Sequence, residues 1–255
     1  MSKTLTEWES QEQVPNVPDD WHDIAPGAKY RTLSARQRVG LKGRRGAKVG
    51  AFYSWKNLAH IPHMVLAEER CARTLDVHPD VISYEGRPEE IELEVPGLPG
   101  LRKYTPSFLV QYRTETVRLQ YCRLPDLRTT GNPKSQRRAE SQRLLFQAVQ
   151  EVYRRIGWHW ILFTDEDIAD VADPETVDEI VANGGRPIDP MLWELLEEHL
   201  RKSPDGVPLL ECEELIRSRS SFPRGDILAR VQERRIWVDL KRPISPTTII
   251  RLVDL

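Results

Sequence analysis

Tyr104-Thr-Pro-Ser-Phe-Leu-Val-Gln-Tyr-Arg113, followed by Val117-Arg-Leu-Gln-Tyr-Cys-Arg-Leu-Pro125, decides the reading of this 255-residue chain. Residues 107–113 and 117–123 are rich in apolar and β-prone side chains, and Thr114-Glu115-Thr116 between them is short and polar. That pattern predicts two antiparallel strands joined by a tight turn.

Working outward from the hairpin, the flanking patterns alternate between helix and strand. Residues 62–75 read as a helix with Val65, Leu66, Ala72 and Leu75 inward, Pro62 in its first turn and Glu68 and Glu69 near its middle. Residues 81–85 form one expected strand, and residues 90–95 another, in which Ile91, Leu93 and Val95 alternate. A turn cluster at 96–100 leads to the hairpin. After a loop at 129–133, residues 139–156 carry Leu144, Leu145, Ala148, Val149, Val152 and Ile156 at helical spacing, and Gly157 stops them. Trp158-His-Trp-Ile-Leu-Phe163 reads as a buried strand. This order predicts an α/β layer over residues 27–168.

The two ends have a different rhythm. Residues 1–26 are polar and carry Pro15, Pro18 and Pro26, which suggests a flexible N-terminal tail. Residues 169–190 are polar and loop-rich, with Gly184, Gly185, Pro187 and Pro190, and mark the expected linker. In 191–255, helices are expected at 191–202, 209–217 and 224–234, then strands at 236–240 and 249–253. Three helices followed by a hairpin is the order of a winged helix.

Charge is distributed unevenly. The formal net charge is only −2, yet residues 27–50 hold eight Lys or Arg and no acid, a basic arm that includes Lys42, Arg44, Arg45 and Lys48. A second basic run over 123–143 includes Lys134, Arg137 and Arg138. Local basic segments in a near-neutral chain suit a phosphate-bearing partner, so these seven residues are the candidate DNA contacts. Three widely spaced cysteines, Cys71, Cys122 and Cys212, make neither a disulfide framework nor a zinc pattern and fit a reduced cytoplasm. His60 and His63, three apart around Pro62, read as ordinary surface histidines. No apolar run is long enough to span a bilayer.

Four segments together resemble the TnsA family, the endonuclease subunits of heteromeric transposases. They are Val49-Gly-Ala-Phe-Tyr-Ser-Trp-Lys56, Asp76-Val-His-Pro-Asp-Val-Ile-Ser-Tyr-Glu-Gly-Arg-Pro88, Tyr104-Thr-Pro-Ser-Phe-Leu-Val110 and Gly157-Trp-His-Trp-Ile-Leu-Phe-Thr-Asp-Glu-Asp-Ile168. The resemblance covers about residues 45–255. It implies a restriction-endonuclease-like core of the PD-(D/E)xK type and a winged-helix-like C-terminal domain. The implied partners are double-stranded DNA at transposon ends, a TnsB-like DDE transposase and a TnsC-like AAA+ ATPase.

In such nucleases an Asp after Pro and an acid-x-Lys on the next strand hold Mg²⁺, which activates a water and steadies the phosphate. The resemblance places the helix acid on Glu68, or Glu69 with a one-residue slip. The family's Asp falls on Ser107, its second acid on Gln120 and its Lys on Cys122. Ser and Gln are neutral ligands, and a thiol is mismatched to Mg²⁺. The expected protein therefore binds DNA and docks its partners with a degenerate site, needing no cofactor; Mg²⁺ enters only if the site is active. Two alternatives stay open: a diverged, active 5′-end nuclease that recruits Glu85 or Asp126, and a winged-helix regulator reading DNA through Arg230 and Arg234.

Overall fold

The computed structural model describes residues 21–34, 50–128 and 131–253. Its architecture is mixed α/β. Strands β1 (His22–Ala25), β2 (Ala28–Thr32), β6 (Glu89–Glu94) and β7 (Leu101–Tyr104) form one antiparallel sheet in the order β1-β2-β6-β7. A second sheet, in the order β10-β9-β8-β5, contains β5 (Val81–Gly86), β8 (Phe108–Tyr112), β9 (Thr116–Tyr121) and β10 (His159–Phe163). The hairpin expected at 107–123 is its centre: β8 and β9 pair antiparallel from Phe108↔Leu119 to Gln111↔Thr116. On the outer side of β9, β10 pairs parallel to it. Strands β3 (Gly50–Ser54) and β4 (Ala59–His63) make a separate hairpin.

Helix α1 (Leu66–Val77) covers one face of the second sheet. Its Cys71, Ala72 and Leu75 pack with Phe108, Val110, Leu119 and Tyr121, the alternate residues of β8 and β9 that face it. After the single-turn α2 (Leu124–Leu127), the long helix α3 (Pro133–Arg155) packs Phe146, Val149 and Tyr153 against Tyr30, Ile91, Leu93 and Tyr104 of the first sheet and Trp160 of β10. The start of α3 follows from local chemistry. Asn132 Oδ1 accepts the backbone N–H groups of Lys134 and Ser135 at 3.1 and 3.0 Å, and Pro133 occupies a position where no N–H is required.

Several sequence expectations change here. Pro62 lies in β4, and α1 begins only at Leu66, so Glu68 and Glu69 sit in its first turn instead of its middle. Part of the expected tail is strand β1, and part of the expected arm is strand β2; residues 1–20 and 35–49 lie outside the described residues. The long helix starts at Pro133, earlier than its apolar stripe, because the Asn132 cap sets the first turn. The stretch 169–190 is largely helical. After α4 (Asp165–Val171), α5 (Pro174–Ala182) buries Val177 and Ile180. Those two side chains join the C-terminal core, which the polar average of the segment conceals.

That core is built by α6 (Pro190–Arg201), α7 (Leu209–Ile216) and α8 (Pro223–Gln232), with β11 (Val207–Pro208), β12 (Ile236–Trp237) and β13 (Ile249–Leu252) in a sheet ordered β11-β13-β12. Leu192, Leu196 and Leu200 of α6 meet Leu209, Cys212 and Ile216 of α7 and Ile227, Leu228 and Val231 of α8. Helix α5 packs against both α1 and α8 and so carries the core across to the second sheet. A polar cluster seals this joint. Asp76, fully buried, accepts hydrogen bonds from Ser54 Oγ, from Tyr84 OH at 3.1 Å and from Gln232 Nε2 of α8. Lys56 Nζ donates to the carbonyls of Leu75 and His78 at 2.8 and 2.6 Å, capping the C-terminal end of α1. No helix among the described residues is long and apolar enough to cross a membrane.

Candidate functional site

Three of the four positions singled out by sequence meet at one end of the second sheet. The β8–β9 ladder closes at Phe108↔Leu119, while β9 continues beside β10 to Tyr121↔Phe163. Just beyond the ladder, Ser107 Oγ takes over: it accepts the backbone N–H of Tyr121 at 3.2 Å and donates to Glu68 Oε1 at 3.1 Å. Gln120 Nε2 lies 3.3 Å from the same hydroxyl and 2.7 Å from the carbonyl oxygen of Tyr121. The other oxygen of Glu68 accepts the backbone N–H of Met64 at 2.6 Å, just before α1. The positive end of the helix dipole favours a carboxylate there.

The ambiguity between Glu68 and Glu69 is resolved by direction. Successive helical residues point about 100° apart, and Glu69 turns away to Arg73, 2.8 Å, and His63, 3.4 Å. His63 is buried against Gly50 and His60 packs edge-on to Tyr53, so the two histidines do not share a site, and His63 is not a surface residue.

Cys122 stands apart from the group. It lies one residue past β9, half-buried beside the core of α3, and among the described residues its Sγ approaches only the carbonyl oxygen of Arg123, at 3.7 Å. Burial, reinforced by Asp126, pushes its thiol up to about 11, so it is neutral at physiological pH. The two acids considered as replacements are placed elsewhere. Asp126 sits in α2 and pairs with Arg123 at 3.0 Å, and Glu85 is an exposed residue of β5 opposite Leu109.

These residues do not fit a two-cation nuclease centre. Only Glu68 brings a charge, and both of its oxygens already accept hydrogen bonds. Ser107 and Gln120 are neutral, and a divalent cation in their place would hold most of its charge uncompensated. Gln120 Oε1 is buried without a hydrogen-bond partner among the described residues, one neutral acceptor that does not change this balance.

The basic candidates divide. Lys42, Arg44, Arg45 and Lys48 lie outside the described residues. Both flanks of their segment are anchored near the site: Leu33 N–H donates to the carbonyl oxygen of Pro88 at 2.9 Å, and Gly50 pairs with His63. Lys134, Arg137 and Arg138 are exposed on the first two turns of α3 and form no ion pair among the described residues. Arg138 is near enough to Cys122 for its charge to act on the thiol. A solvated cationic face therefore begins near Cys122, just past the end of β9.

Among the described residues, Arg217 and Arg219 are exposed without an ion pair and Arg234 Nε is buried without a hydrogen-bond partner, whereas Arg230, Arg224 and Arg235 are engaged by the protein itself. Arg230 is 4 % exposed, donates to the carbonyl oxygen of Arg186 and pairs with Glu233 at 2.9 Å. Arg224 pairs with Glu179 at 2.6 Å, and Arg235 lies over the Trp193 ring. Seven of the ten residues of α8 are buried. No protein-family profile and no curated protein matches this chain.

Proposed function

We propose that this protein is a TnsA-like subunit of a transposition machine that binds transposon-end DNA and docks a DDE transposase or an AAA+ ATPase without cutting DNA itself. The helix–strand order α1, β5, β8, β9, α3, β10, with strands arranged β10-β9-β8-β5, supports a restriction-endonuclease-like core. The order α6, β11, α7, α8, β12, β13, with strands β11-β13-β12, supports a winged-helix-like domain.

One observation carries the reading: Glu68, Ser107 and Gln120, far apart in sequence, close into a single hydrogen-bonded group where such nucleases hold their metal ligands. On this reading the frame is kept and the charges are lost. Neutral side chains at 107 and 120 also remove repulsion toward a phosphate, which favours DNA binding without metal. The regulator alternative fares worse. A recognition helix must offer an exposed face to the major groove, whereas α8 spends its surface on α5 and α1, and Gln232 is tied to Asp76.

A nicking assay on transposon-end DNA with Mg²⁺ or Mn²⁺, run beside a gel-shift assay with the transposase of the same locus, tests the proposal. Shifted and supershifted DNA without cleavage by this subunit supports it. Metal-dependent nicking abolished by Glu68→Ala sinks it.

A further inference from the structure

Arg87 stands at a corner of the chain. β5 ends at Gly86 and β6 begins at Glu89, and these strands belong to different sheets, so Arg87 and Pro88 alone turn the chain from one sheet to the other. The turn holds Arg87 at φ +53°. That left-handed region is open to glycine and disfavoured for a long side chain, and the proline that follows narrows the choice toward extended backbone. Leu58 and Arg234 also have positive φ, but they sit in a hairpin turn and just past a helix end, where that conformation is common. A glycine would round the corner at Arg87 without strain.

What arginine adds is a guanidinium, and nothing among the described residues uses it. Its Nε is buried with no hydrogen-bond partner, and the side chain forms no ion pair among the described residues. Its place is informative. Gly86 pairs with Phe108 in the β5–β8 ladder, and Arg87 N–H donates to the carbonyl oxygen of Ser107 at 2.9 Å. The backbones of Arg87 and Ser107 are therefore adjacent, just past the last ladder pair at the open end of the sheet. Ser107 is the hydroxyl that links Glu68 and Gln120. The Glu68 carboxylate is already engaged by Ser107 and Met64, so it is not the missing partner of Arg87.

We propose that Arg87 is a phosphate-binding residue, holding a backbone phosphodiester of double-stranded DNA at the mouth of the Glu68–Ser107–Gln120 group. The proposal rests on the DNA-binding reading above. A planar guanidinium can grip a phosphate through two parallel hydrogen bonds and keeps its charge at every physiological pH. It supplies, at one fixed point, positive charge that this site does not obtain from a lysine at position 122. Backbone strain retained at an unsatisfied cation is the pattern of a residue kept for a ligand instead of for the fold.

Fluorescence anisotropy of the full chain with a labelled mixed-sequence DNA duplex, over a series of KCl concentrations, tests this with Arg87→Gln and Arg87→Gly. Arg87→Gln should weaken binding roughly tenfold, the worth of one charge-assisted hydrogen bond. It should also lower the slope of log K against log salt by about 0.9, one phosphate contact. Arg87→Gly should lose the same affinity while its urea midpoint stays at or above wild type, because glycine relieves the corner. Unchanged affinity and slope in Arg87→Gln, with wild-type binding intact, overturn the role of Arg87 and leave the DNA reading standing. Weaker binding together with a lower urea midpoint in both variants makes Arg87 a structural residue and also overturns it. A wild-type chain that does not bind the duplex removes the DNA reading and this proposal with it.

Discussion

Replacing Arg118 with methionine should destabilise this protein by about 3–5 kcal/mol, the usual consequence of stranding one partner of a buried ion pair. Arg118 and Glu89 are each 1 % exposed. Arg118 lies on β9 and Glu89 on β6, so the pair joins the two sheets beside α3. Arg118 Nε donates to Glu89 Oε1 at 3.2 Å, and the Tyr153 hydroxyl donates to the same oxygen at 2.6 Å. The guanidinium carbon sits 3.7 Å from the centroid of the Trp158 ring. A desolvated cation–π contact of this kind contributes about 2 kcal/mol. Methionine keeps much of the stem volume, and its sulfur returns about 0.3–1.5 kcal/mol against the aromatic rings. The net loss is therefore dominated by Glu89, whose carboxylate loses the Arg118 guanidinium. Urea unfolding at pH 7 measures it. The double variant Arg118→Met with Glu89→Gln should recover part of it. A loss below about 1 kcal/mol would refute the view that this pair stitches the sheets through charge.

Three further outcomes are expected. The triple change Ser107→Asp, Gln120→Glu and Cys122→Lys puts two further carboxylates beside Glu68 and a lysine at the end of β9, and should create Mn²⁺ binding that calorimetry detects; no heat of binding would count against the placement of these positions. Burial lowers Lys56 from 10.5 to about 7. The unfolded chain therefore binds more protons than the native one above pH 7, and this group's contribution to stability rises with pH through that window. The difference in urea midpoint between wild type and Lys56→Met should shift accordingly between pH 7 and 8.5, and a flat difference would remove Lys56 from the account. Gly185 has φ +69°, and a methyl on it would overlap the Trp55 ring. Gly185→Ala should cost about 1 kcal/mol or more and alter tryptophan fluorescence; an unchanged melting curve would mean the ring moves aside freely.

How much of the molecule was legible in the sequence depends on how local each signal is. The β8–β9 hairpin was readable because period-two alternation and a short polar turn are properties of neighbouring residues. The same holds for α3, although its first turn was missed, since an Asn cap is one residue against a long apolar stripe. Helix α5 was missed because only Val177 and Ile180 of a polar segment are needed to bind it to the core. Arg87 carried no signal: nothing in Gly86-Arg87-Pro88 says that the two strands around it enter different sheets.

The candidate site divides along the same line. By itself the sequence determined which residue types stand at 68, 107, 120 and 122, and hence that Glu68 is the one carboxylate among the four. Only the tertiary structure decided that Glu68 rather than Glu69 faces Ser107, that Gln120 joins them while Cys122 does not, and that α8 is buried against α1 and α5. The physical reason is that side-chain chemistry is a property of each residue, whereas direction and burial arise from contacts between segments 39 residues apart, as Glu68 and Ser107 are, or 156 apart, as Asp76 and Gln232 are. No short-range pattern encodes such distances; the packing of whole helices and sheets sets them.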